Sequence, residues 1–141
     1  MSNEITAASS PTLAEYNRKI NLVEVRQHPE RFPQIAATPK DEAVDKMTRI
    51  VHAAFLYRGQ STTPSTIRFV ANALVAEILN DDKYGLRSLS WEEIGRVIRN
   101  AVLGGAKELY GVNVASLYSA LIDYAKTDGH DAERRARQSN Q

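Results

Sequence analysis

The amino-acid sequence predicts an all-α protein, a single-domain irregular bundle of about five helices with flexible termini. Three observations support this prediction: repeated helix-start signals, apolar residues at intervals of three and four, and no convincing alternating pattern of a strand. The chain has 141 residues, of which 43% are hydrophobic. This is enough for one modest core, so a single domain is expected.

The first three predicted helices share one start signal, a hydroxyl residue followed by a proline at the first helical position. The pairs are Ser10-Pro11, Thr38-Pro39 and Thr63-Pro64. These helices are expected to end before Pro29, at Arg58-Gly59 and around residues 80–82. Residues 27–38 hold two prolines and are interpreted as a connecting loop.

The fourth helix is predicted to begin after Ser90. The serine hydroxyl can accept from an amide of the first turn, and Glu93 can reach back to the Ser90 amide, so the two form a capping box. Apolar residues recur at helical spacing in Ile94, Val97, Ile98, Ala101 and Val102. The pair Gly104-Gly105 is expected to end this helix, because glycine is poor in a helix interior.

The fifth helix is predicted to begin after Asn113 and to end near Lys126 or Thr127, with Gly129 marking its end or a break. Its apolar stripe contains Leu117, Tyr118, Leu121, Ile122 and Ala125. The predicted organisation is therefore a flexible N-terminus over 1–9, a helical domain over 10–129, and a flexible or frayed basic tail over 130–141.

Composition gives limited information about partners and compartment. The net charge is only +1, which provides no global argument for a polyanionic partner. There is no cysteine, so disulfides and thiolate sites are excluded. No signal peptide is visible, and no apolar run is long enough to cross a bilayer. We expect a cytoplasmic protein, or a virion-associated one if its role is structural.

Signs of catalysis are weak. The histidines His28, His52 and His130 are scattered and none pairs at ligand spacing, so we expect no metal or cofactor. The pair Asp81-Asp82 is interpreted as solvated carboxylates at a helix end. Residues 104–107 lack the glycine spacing of a phosphate-binding loop and follow a helix instead of a strand. The sequence therefore favours a protein that is not an enzyme.

Two groups of cations are candidates for phosphate contact. Arg96 and Arg99 fall on the side of their helix opposite its apolar stripe, and a basic segment follows residue 133. The connection between the last two helices is too long for a strict helix-turn-helix. The candidate nucleic-acid-binding residues are Arg96, Arg99, Lys107, Arg134, Arg135 and Arg137.

Apolar residues outside the predicted core suggest an alternative role in protein binding. Leu103 lies nearly opposite Ile94 on its helix, on the side of the arginines. Phe55, Leu56 and Tyr57 are consecutive and cannot all face one core. The candidate partner-binding residues are Leu103, Leu56 and Tyr57, because interfaces favour arginine beside apolar anchors.

The second half of the chain carries a set of short segments: LSWEEI from Leu89, GGAKELYG from Gly104, Tyr124, and the segment Glu133-Arg134-Arg135. With these segments it resembles a family of small uncharacterised helical proteins from phages and integrated mobile elements of Bacteroides-type bacteria. The resemblance covers about residues 64–137. It implies a mobile-element setting, in DNA replication or maintenance, and supplies no catalytic residues.

Two functional hypotheses follow. The first is a non-enzymatic DNA-associated accessory protein of a phage or mobile element, which binds phosphate through its arginines. The alternative is a protein-interaction or structural assembly module, such as a phage virion component, without nucleic-acid contact. The first hypothesis expects DNA as the partner, and the alternative expects a protein or a second copy of the chain. Neither hypothesis expects a membrane or a metal.

Overall fold

The computed structural model describes residues 11–17, 21–104 and 111–139. Within these ranges the chain contains no β-strand, only an isolated antiparallel bridge between Gln34 and Ser90. One hydrophobic core cluster joins the central helices, so the prediction of an all-α single-domain bundle is confirmed. The predicted flexible N-terminus, residues 1–9, lies outside the described residues.

The α-helices are, in chain order, α1 (Leu22–Gln27), α2 (Lys40–Arg58), α3 (Pro64–Leu79), α4 (Trp91–Val102), α5 (Val114–Tyr124) and α6 (His130–Ser139). Short 3-10 turns occupy Ala14–Asn17, Ile35–Ala37 and Leu86–Ser88. Helix α2 packs on α3 and α4, and α5 packs on α3 and α4. None of the described helices combines the length and apolar content that crossing a bilayer would require.

Helices α2 to α5 alternate in direction, which gives the bundle two distinct ends. The Trp91 Nε1 group donates to Thr38 Oγ1 at 2.9 Å, so α2 and α4 start at one end, which we call the basal end. At the other, apical end, the Gln60 side chain after α2 accepts from the Val112 amide before α5, at 2.9 Å. The apical end therefore contains the last turns of α2 and α4 and the first turns of α3 and α5.

Three predicted helix starts are confirmed by their hydrogen bonds. Thr63 caps α3, Asn113 caps α5, and Ser90 forms the full capping box with Glu93. The prediction that Thr38 caps α2 is wrong: Pro39 precedes the first turn, and no side chain caps it. The Thr38 hydroxyl instead donates to the Gln34 carbonyl and accepts from the indole of α4. Ser10 lies outside the described residues.

The chain after Tyr124 does not end as a frayed tail. Helix α5 passes through a π-helical turn, Ala125–Gly129, directly into α6. The break predicted at Gly129 is found as this π-helical turn, whereas the segment predicted as a flexible or frayed tail over 130–141 is helical over 130–139. The physical reason is packing, because Ala132 and Ala136 are buried on the side of α6 that packs on α1.

The predicted first helix is also divided. A 3-10 turn at Ala14–Asn17 packs beside α4, and α1 starts separately at Leu22 after the cap of Asn21, whose side chain accepts from the Val23 amide. Residues 18–20, between them, lie outside the described residues. The two segments pack on different helices, the 3-10 turn on α4 and α1 on α6.

The prediction that Asp81 is a solvated carboxylate at a helix end is wrong. Asp81 is buried and accepts from the amides of Lys83, Tyr84 and Leu86 at 2.9–3.2 Å. Burial opposes its ionisation, yet these amides outweigh that effect and hold the pKa of Asp81 below its ordinary value. The carboxylate therefore organises the connection between α3 and α4.

Replacing Asp81 by asparagine is expected to lower the free energy of unfolding by about 1–2 kcal/mol at pH 7, because the charged acceptor of several amides is lost. The folded-state pKa is depressed, so this contribution is present above the ordinary pKa of 3.8 and disappears as the pH falls through the lower folded value. Urea unfolding at pH 7 and near pH 2 measures both effects. The exposed neighbour supplies the control, Asp82→Asn, and equal losses in the two variants would contradict the assignment.

Candidate functional site

The four central helices confine their carboxylates to the basal end of the bundle, whereas cations occur at both ends. In the described part of the chain, every Asp and Glu of α2 to α5 lies in the half of its helix nearer the basal end, and the α3–α4 connection adds two more. These residues are Asp41, Glu42, Asp45, Glu77, Asp81, Asp82, Glu92, Glu93 and Asp123. Their field reaches Tyr118, whose pKa is raised by burial and by Asp81 and Glu77.

The apical halves of the same helices carry cations. Arg58 is the last residue of α2, Arg68 lies in the second turn of α3, and Arg99 lies in the last turn of α4. The described residues of these four apical half-helices include no carboxylate; Glu15 lies outside them, in the 3-10 turn beside α4. Helix dipoles contribute little to this end, because two helix starts and two helix ends meet there.

Distance determines whether the basal carboxylates neutralise the apical arginines. Helix α2 has 19 residues. Its length is therefore about 28 Å at 1.5 Å per residue. Charges in solution are largely screened beyond about 8 Å at physiological ionic strength. Arg68 is an exception, because it contacts Asp45 at 3.3 Å. For the other apical arginines, a net charge of +1 is compatible with a locally positive apical end.

The predicted nucleic-acid-binding residues fall into two separate groups. Arg96 and Arg99 are half-exposed on α4, and Arg99 lies close enough to Tyr57 to lower its pKa, after the larger effect of a hydrogen bond with Thr12. Arg99 therefore belongs to the apical end. Lys107 lies outside the described residues.

The second group lies on α6, well away from the apical end. Residues 124 to 134 carry the chain about 15 Å beyond α5, on the basal side, at 1.5 Å per residue. Each arginine of this group pairs with an acidic residue of the same helix. Arg134 and Arg135 contact Asp131 at 2.7 and 3.1 Å, and Arg137 contacts Glu133 at 3.2 Å.

The predicted partner-binding residues all come to the apical end. Leu56 is 54% exposed and Leu103 is 53% exposed. Tyr57 is half-buried, and its hydroxyl accepts from the Leu13 amide and bonds Thr12 Oγ1, both at 3.0 Å. Tyr57 thus holds the N-terminal segment against α2, whereas the two leucines remain open to solvent.

Sequence reasoning missed three apical residues, Arg58, Arg68 and Phe69. Phe69, on α3, is 69% exposed, and Arg68 reaches Asp45 at 3.3 Å across the α2–α3 pair. A signal was present, because residues 46–76 contain no Asp or Glu. The sequence does not show where this segment lies, and only the antiparallel topology places it beside the end of α4.

A buried ionic network stabilises the basal end of the bundle, where α4 begins. Glu93 is fully buried, and its Oε1 accepts from the Ser90 amide and hydroxyl, both at 3.1 Å. Its Oε2 contacts Arg26 Nη2 at 2.8 Å and accepts from the Tyr124 hydroxyl at 2.6 Å. Arg26 also reaches Glu133 at 3.1 Å. Helices α1, α4, α5 and α6 are thereby joined around one carboxylate.

The proton affinities in this network follow from burial and pairing. Burial raises the pKa of Tyr124, and the adjacent Glu93 carboxylate raises it further. Burial alone would lower the pKa of Arg26, but its pairing with Glu93 outweighs that effect. Both oxygens of Glu93 are occupied by donors of this chain, so the network holds helices together and offers no site to a ligand.

Comparisons of the chain with protein-family models, with curated proteins and with solved structures find no match. The resemblance to proteins of phages and mobile elements stays a prediction.

Proposed function

We propose that the chain is a non-enzymatic accessory protein that binds nucleic acid through its apical end. The observation that supports the proposal is the one-sided distribution of carboxylates: Arg58, Arg68 and Arg99 lie where the described residues of four half-helices hold no carboxylate. Phosphate contacts dominate the affinity of proteins for nucleic acid, and a local basic surface is sufficient to make them.

Ion pairing argues against α6 as the main contact. Its arginines are paired with Asp131 and Glu133, so a phosphate would have to displace a carboxylate at each position. At the apical end Arg68 also contacts a carboxylate, Asp45, at 3.3 Å, whereas Arg99 donates to the Asn100 side chain at 3.4 Å. The other carboxylates of α2 to α5 lie nearer the basal end. We therefore assign phosphate contact to the apical group and no essential contribution to the basic segment of α6.

The test compares two charge-matched double variants, Arg58→Gln/Arg99→Gln and Arg134→Gln/Arg135→Gln. Fluorescence anisotropy with a labelled oligonucleotide, measured across a salt series, gives affinity and salt dependence. We expect the apical variant to lose about tenfold or more in affinity at low salt, and its log–log salt slope to fall by about 1.4–1.8. The α6 variant should bind like the unmodified chain.

Each alternative outcome has a defined meaning. Equal losses in both variants would contradict the apical assignment, and a loss confined to the α6 variant would transfer the site to α6. Undetectable binding at low salt would overturn the proposed function itself. Circular dichroism and thermal unfolding of both variants ensure that a loss of affinity does not reflect a loss of structure.

A protein partner is the second candidate function, because Leu56 and Leu103 are both more than half exposed at the apical end. Apolar anchors beside arginines are typical of protein interfaces. An assembly role predicts self-association or a retained partner, which light scattering and a pull-down from host extract would detect. A strictly monomeric chain that retains no protein would count against this candidate.

A further inference from the structure

Phe69 is the most exposed large apolar side chain of the described residues, at 69%. The core does not require it, because the buried stripe of α3 is complete without it. That stripe consists of Ile67, Val70, Ala71, Leu74, Val75 and Ile78. A single exposed apolar residue is ordinary. The location of Phe69 makes it unusual, because it lies in the acid-free apical half of α3, next to an arginine.

The neighbours of Phe69 on its helix are mainly polar. On α3, the positions one turn away are Ser65, Thr66 and Asn72, all exposed, and Ala73, which is half-buried. The adjacent Arg68 is held by Asp45 at 3.3 Å, and its carbonyl accepts from the Asn72 side chain at 3.1 Å. The ring is therefore presented on a regular helix with ordered neighbours, and its exposed area is open to a flat ligand.

We propose that the apical end binds single-stranded polynucleotide, with Phe69 stacking on an unpaired base and the arginines contacting phosphate. This inference rests on the proposed function and makes it more specific. Proteins that bind single strands combine a basic surface with exposed aromatic rings, because any base can stack on a ring. In a duplex the base faces are already stacked on one another, so Phe69 would contribute nothing to duplex binding. An acidic protein surface would match the charge but would not require an aromatic ring.

The experiment uses Phe69→Leu and Phe69→Trp, with Leu56→Ala as the control for loss of exposed apolar area. Anisotropy is measured with oligo-dT, oligo-U and a duplex, at one low salt concentration. We expect Phe69→Leu to weaken single-strand binding about 5- to 100-fold, the range for one stacked base, and to leave duplex binding unchanged. Phe69→Trp should retain or improve single-strand affinity, and Leu56→Ala should change neither.

The outcomes separate this inference from the function on which it rests. Equal effects of Phe69→Leu on single strands and duplex, or no effect on either, would overturn the stacking role and leave phosphate binding standing. Absence of any polynucleotide binding would overturn both proposals. If Phe69→Leu retains full single-strand affinity, an apolar contact is sufficient and stacking is excluded. The oligo-dT and oligo-U measurements show whether DNA or RNA is the preferred strand.

Discussion

Replacing Glu93 by alanine is expected to lower the free energy of unfolding by about 3–5 kcal/mol, because it leaves a buried cation without its partner. Among the described residues Arg26 keeps the carboxylate of Glu133, whose side chain is 38% exposed, and the Tyr124 hydroxyl loses its acceptor. The capping box of α4 is lost in the same substitution. Urea unfolding followed by the fluorescence of the single tryptophan, Trp91, measures the change.

A double-mutant cycle separates pairing from simple loss of contacts. We expect the double variant Arg26→Met/Glu93→Leu to be more stable than the sum of its two single replacements predicts, since neither charge is then buried alone. Glu133→Gln is the matched control, because it removes the partly exposed partner of Arg26 and should cost about 1 kcal/mol or less. Additive single effects, or a small cost for Glu93→Ala, would show that the network does not stabilise the fold.

Replacing Gly95 by valine is expected to lower the free energy of unfolding by about 3 kcal/mol, because the new side chain overpacks the site. Helix propensity alone would predict the opposite sign for the smaller change of a mid-helix glycine to alanine. A Cβ atom at Gly95 would lie 2.5 Å from carbons of the Tyr16 ring, which is far inside van der Waals contact. The ring cannot remain in place, so the 3-10 turn at Ala14–Asn17 would have to shift. Thermal and urea unfolding monitor the loss.

Replacing Gly95 by alanine tests whether helix propensity or packing against Tyr16 dominates at this position. We expect Gly95→Ala to destabilise the chain by about 1–2 kcal/mol, the cost of overpacking less the gain in helix propensity. The double variant Tyr16→Ala/Gly95→Ala removes the ring and should recover part of the propensity gain. A stabilising Gly95→Ala would mean that the N-terminal segment does not pack against α4.

Helix starts could be predicted from the sequence where the partners lie within one turn. Ser90 with Glu93, Thr63 with Thr66 and Asn113 with Ser116 are local pairs, so the residues that form the hydrogen bond also specify it. Thr38 looked equivalent, but its hydroxyl is used by Trp91, far along the chain. A cap is therefore predictable only when no distant group competes for the same atoms.

Long-range pairing also explains why the network and the C-terminal helix were not anticipated. Glu93 was correctly assigned to a capping box through Oε1, while Oε2 pairs with Arg26, 67 residues away. Gly129 suggested a helix end or a break, and it is the last residue of the π-helical turn. A Cβ there would lie 3.2 Å from Arg26 Nη2 and 3.1 Å from the Tyr124 ring. The glycine permits this close approach, and the helix continues past it.

The sequence by itself determined the all-α class, most helix starts and the apolar stripes, because these follow from hydrogen bonds and periodicity within a few residues. It also determined which segments lack carboxylates. Only the tertiary structure decided that these segments meet at one end and that α6 lies elsewhere. The reason is that electrostatic fields depend on distances in space, and the antiparallel order of α2 to α5 sets those distances.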